Sequence, residues 1–209
     1  MDSLDNGSHT AEDLAPARTG GRGALIGALF GGIWYLIGVT GLRGEARQTT
    51  AAAGAVLIVA VVFAVMRLRK VHRVAPMRSG APLPRRGRAF TRLLVVQAVL
   101  IGVGGGLIST RFHQPHAVFA WAALVVGAHF FPLARVLGAP VLKVLGTAMV
   151  AVAAAALIVA ASLGGSQAVW QGLPGLGCAA ALWGAVLVSA VRASRSTSDS
   201  AGRRMPARR

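Results

Sequence analysis

A chain of 209 residues that is 55% hydrophobic and only 13% charged has too little polar side chain to cover a water-soluble surface, since ordinary soluble domains carry about 25% charged residues. Its formal charge of +16 comes from 22 Lys and Arg against six acids, with no acid between Glu45 and Asp199. The basic residues sit between apolar runs and in the tails, with no aromatics interleaved to stack on bases, which excludes nucleic acid as the expected partner and points to an anionic membrane surface.

Residues 1–23 carry four acids and only Arg18 and Arg22 as cations. A secretory signal needs a basic start and a cleavage site, so a solvated, disordered leader is expected instead. Residues 24–42 form the first uncharged run of spanning length, because about 20 helical residues cross a hydrocarbon core of about 30 Å. Gly23, Gly27 and Gly31 recur every fourth residue and predict close packing of this span against another helix. Trp34 and Tyr35 fall in mid-span and read as packing residues.

Further spans are expected at about 50–66, 93–109, 117–136, 141–163 and 174–191. In lipid a lone strand would leave its backbone unsatisfied, so each of these runs must be helical. Between the second and third spans lies a basic loop, 67–92, with nine Lys or Arg and the breakers Pro76, Pro82 and Pro84. Anionic lipid head groups are its expected partner, at about 1 kcal/mol per cation. The third span carries Gln97 and the cluster Gly102, Gly104, Gly105 and Gly106, with Gly102 and Gly106 as packing candidates. His113 and His116 read as solvated turn residues, because no third metal ligand lies near them. Trp170, in the uncharged stretch 164–173, reads as an interface anchor. Cys178 lies among Ala and Gly and reads as a small packing residue. Residues 194–209 form a basic tail expected to be disordered.

The distribution of cations orients the chain. With the N-terminus inside, the inner segments hold two, nine, two and six Lys or Arg, nineteen of the 22, leaving Arg43, Arg47 and Arg111 outside. The fold class is therefore all-α: an integral membrane bundle of six transmembrane helices with both termini cytoplasmic.

Polar chemistry inside the spans is sparse. His129 lies near mid-span, and Arg135 and Lys143 are close enough to an end to snorkel. No span carries a carboxylate, and neither H-E-x-x-H nor a serine nucleophile motif occurs, so no enzyme activity, metal or cofactor is expected. His129 either faces a cavity with Gln97 or hydrogen-bonds Gln97 or Thr147 on a neighbouring span. Pro132, three residues on, is expected to bend the helix.

The run Gly127-Ala128-His129-Phe130-Phe131-Pro132-Leu133-Ala134-Arg135 resembles a G-x-H-F-x-P-L-A motif of uncharacterised small multi-pass membrane proteins of bacteria. The matching residues are Gly127, His129, Phe130, Pro132, Leu133 and Ala134, within one span. That resemblance implies a membrane protein of bacterial source and carries no activity; the bacterial cytoplasmic membrane is the expected location. Two functions fit: a non-catalytic membrane component that assembles with itself or another membrane protein through its glycine-lined helices, or a small permease or channel-like carrier for a neutral or anionic solute.

Overall fold

The computed structural model describes the backbone of residues 21–73 and 84–202, and the side chains of 23–69 and 87–194. The expected leader up to residue 20, the middle of the basic loop with Pro76 and Pro82, and the last seven residues lie outside the described residues. Six helices follow one another: α1 (Gly21–Thr40), α2 (Gly44–Arg73), α3 (Pro84–Arg111), α4 (Ala117–Leu137), α5 (Val141–Leu163) and α6 (Leu173–Gly202). A π turn, Ala168–Gly172, leads into α6. Each helix contains a stretch long and apolar enough to cross a membrane, and no strand occurs among the described residues.

Three boundaries differ from the sequence pattern. The link before the second span shrinks to a tight turn closed by Gly41 and Leu42 amides on the Gly38 and Val39 carbonyls. Gly44 turns the corner at φ 57°, a conformation open to glycine, and Glu45 in the first turn of α2 suits the helix dipole. The described parts of the basic segment are helical: α2 runs on through Arg73, and α3 begins at Pro84. Arg and Lys are good helix formers, and a proline at a helix start lacks only an N–H that has no partner there. The expected tail from 194 is helical as far as Gly202. Apolar length marks where a helix enters lipid, not where its hydrogen bonds end.

α6 stands at the centre and touches α1, α2, α4 and α5. α1 packs on α2 and α6, and α4 packs on α3, α5 and α6. Among the described residues α3 touches α4 alone, and α2 and α3, consecutive in the chain, do not meet. The core joins Trp34 and Tyr35 of α1, Val61, Val65 and Leu68 of α2, Met149 of α5, and Cys178, Leu182 and Trp183 of α6. Cys178 is fully buried. With lipid tails as apolar as leucine, helices associate here through close packing and interhelical hydrogen bonds more than through the hydrophobic effect.

Candidate functional site

The spans are joined by a repeated device. Trp183 Nε1 of α6 donates to the Ala28 carbonyl of α1 at 3.1 Å, and a Cβ on Gly31 would collide with its indole. Tyr35 of α1 donates its hydroxyl to the Thr50 carbonyl of α2 at 2.7 Å, its ring lying where a Gly54 side chain would be. Trp121 of α4 donates Nε1 to the Leu100 carbonyl of α3 at 3.0 Å, over Gly104. In each case the acceptor lies three or four residues before a glycine. A helical carbonyl points toward the side chains at those positions, so a glycine there leaves it open to a second donor. The aromatic ring fills the space, and its polar tip finds the partner that burial demands.

Elsewhere backbone meets backbone. A Cβ on Gly38 of α1 would lie 2.7 Å from the Leu176 amide nitrogen, and one on Gly175 would strike the Gly38 backbone. A Cβ on Gly146 of α5 would lie 2.7 Å from the Gly127 carbonyl oxygen of α4. Of the glycines singled out in the sequence, Gly27 faces Val186 at 3.1 Å and Gly31 faces Trp183, whereas a Cβ at Gly23, Gly102 or Gly106 would meet nothing within 4 Å. In the third-span cluster it is Gly104 and Gly105 that seat α4, against Trp121 and Val118.

The one buried polar side chain among the described residues is Gln171, 7% exposed, in the π turn. Its Nε2 donates to the Ile37 carbonyl at 3.0 Å and to Thr40 Oγ1 at 2.8 Å. Its Oε1 accepts from Gln167 Nε2 at 3.2 Å, and Gln167 Oε1 accepts from the exposed Arg43 at 3.4 Å. Both amide hydrogens and the oxygen of Gln171 are thus engaged, which marks a structural clamp between α1 and the start of α6. The wide turn follows from Pro174, which has no N–H to donate, and from the Leu173 amide reaching back to the Ala168 carbonyl. The sequence shows this stretch only as uncharged; its signals are the i, i+4 pair Gln167 and Gln171 and the proline behind them. Trp170 is half-buried, with its indole against Gly165.

His129 is half-buried on α4, its ring centroid 6.5 Å from that of Phe130. Among the described residues it makes no hydrogen bond, and neither does the half-buried Gln97. Thr147 donates its hydroxyl to the Lys143 carbonyl at 3.0 Å within its own helix, so neither partner expected for His129 bonds to it. α4 runs unbroken through Pro132, whose missing N–H leaves the Ala128 carbonyl without its helical donor. His113 and His116 are exposed, His113 at φ 55°, and no group of three metal-ligating side chains occurs among the described residues. Comparison with known proteins gives no family model, no curated protein and no solved structure that matches the chain.

Proposed function

We propose that the chain is a non-catalytic component of a bacterial cytoplasmic membrane, crossing it six times with both termini inside, and that it assembles with a second copy through the outer face of α3. The orientation rests on the one-sided Lys and Arg count, and the source on the motif around His129. The observation that carries the assembly is the isolation of α3. Among the described residues it touches α4 alone, and only 6% of its span is buried. Its outer side presents Val95, Val99 and Val103 beside Gly102 and Gly106. Two glycines on a free helix face weaken the helix by about 1 kcal/mol each relative to alanine, a loss that close approach of another helix offsets. Native mass spectrometry of the protein released from lipid nanodiscs tests this: the reading expects a dimer, and a monomer at all concentrations contradicts it.

The carrier reading keeps one observation in its favour, the mid-span His129 with no hydrogen bond among the described residues. The packing lends it no three-plus-three symmetry, because α5 packs on α6 whereas α2 does not touch α3.

A further inference from the structure

α2 has two unlike sides. Val61, Ala64, Val65 and Leu68 are buried at 3–6% exposure, and on the opposite side Val56, Val59, Val62, Phe63 and Met66 stand 52–73% exposed. The exposed stripe covers about 16 Å of helix from Val56 to Arg67, close to half of a hydrocarbon core of about 30 Å. That is the depth of a single leaflet.

The stripe ends on charge. Arg67 and Arg69 are both exposed and flank it on either side, and Arg67 Cζ lies 4.8 Å from the Phe63 ring centroid. The ring face holds the guanidinium against the helix, at the level where apolar stripe gives way to head groups. With six successive crossings, Arg88, Arg92, Arg135 and Lys143 fall at the same end of the bundle, where the one acid of the described backbone is Asp199, near the end of α6. Glu45, the one acid whose side chain is described, lies at the other end of α2. Among the described side chains no carboxylate pairs with Arg67 or Arg69, and cations outnumber acids at this end.

We infer that this side of α2 seats an anionic phospholipid of the leaflet at its basic end. The phosphate binds Arg67 and Arg69, and one acyl chain lies along Val56, Val59, Phe63 and Met66. A guanidinium matches the phosphate oxygens in bidentate fashion, and the excess of cations over acids at this end favours a lipid whose net charge is negative over a zwitterionic one. The seat does not depend on self-association through α3, since it uses a different helix.

The test uses the full chain in nanodiscs of phosphatidylcholine with and without phosphatidylglycerol, counting lipids retained on release by native mass spectrometry. Wild type should retain phosphatidylglycerol in preference to phosphatidylcholine, and less of it at high salt. Arg67→Gln should lower that preference about fivefold and the double change Arg67→Gln/Arg69→Gln about thirtyfold, while Arg67→Lys/Arg69→Lys, which keeps the charge but loses the fork, should fall between wild type and the double Gln variant. Arg111→Gln, at the other end of the bundle, should leave it unchanged. Equal retention of the two lipids by wild type overturns the seat whatever the variants do. So does loss of preference in the Arg111 variant equal to that in the Arg67/Arg69 pair. Displacement of the lipid by millimolar inorganic phosphate assigns the cations to a free anion and overturns the lipid reading.

Discussion

Trp183 reaches across from α6 to hydrogen-bond the Ala28 carbonyl of α1, and it can do so because Gly31, one turn on, has no side chain in the way. The same ring also stacks beside Tyr35, centroids 5.3 Å apart, and Tyr35 in turn bonds α2. Three helices are thus tied through two rings, with Gly31 and Gly54 supplying the open surfaces. In lipid, where burying an apolar side chain gains little, such seats are the main source of specific association.

Filling a seat should unfasten its helix. Gly31→Ala and Gly54→Ala each place a methyl inside an aromatic ring, and overpacking of this kind costs about 1–3 kcal/mol. Gly23→Ala, whose added methyl meets nothing within 4 Å, should be neutral or slightly stabilising through helix propensity. Thermal unfolding in detergent with all three variants checks the contrast. Equal losses at Gly23 and Gly31 would refute the packing role assigned to the ring.

The indole of Trp121 is the polar tie that holds α3, through its bond to the Leu100 carbonyl. Trp121→Phe should lose that bond, about 0.6–2 kcal/mol in a bilayer, while keeping most of the ring. Because α3 has no other neighbour in the bundle, the loss should appear locally, as faster hydrogen exchange in 93–111 and little change in α1 and α6.

At the π turn, Gln171→Leu removes the two hydrogen bonds that Nε2 gives to Thr40 Oγ1 and the Ile37 carbonyl, although the Thr40 hydroxyl still donates to that carbonyl at 2.8 Å. The expected loss is about 1–3 kcal/mol, read from unfolding in detergent. Arg43→Gln removes only an exposed 3.4 Å contact to Gln167 and should change stability little. A comparable loss in both variants would show that the chain from Arg43 to Gln171 acts as one unit.

His129→Cys in a Cys178→Ala background separates the two functional readings. Cys178 is fully buried, so the background thiol is readily removed from the readout. A membrane component predicts no labelling of position 129 by a membrane-impermeant thiol reagent in intact vesicles. Rapid labelling from either side would reveal a water-filled path and favour the carrier.

The six spans were legible because a continuous apolar run of 17–23 residues in this sequence can satisfy its backbone in lipid only as a helix. Partnering was much less legible. A membrane helix is apolar all round, so its hydrophobic pattern does not say which side faces protein. Small residues carry that information only in part: Gly27 and Gly31 pack closely, on α6, as their spacing predicts for some helix, but Gly38 on α6 and Gly41 on the π turn extend the contact without a regular repeat. Gly104, equally, is distinguished from Gly102 only by the ring of Trp121, seventeen residues away in the chain. The Gln171 clamp had only weak signals, the Gln167 and Gln171 pair and Pro174 behind it, because a π turn is defined by which carbonyl an amide reaches.

The central claim, that α3 is the assembling helix, is tested most directly by disulfide cross-linking in native membranes. Single cysteines are placed in turn along 95–108 in the Cys178→Ala background. The account predicts dimers cross-linked through Val95, Val99, Gly102 and Gly106 and none through Ile101 or Ile108, which are half-buried. Cross-links without that helical period, or none at any position, would contradict it.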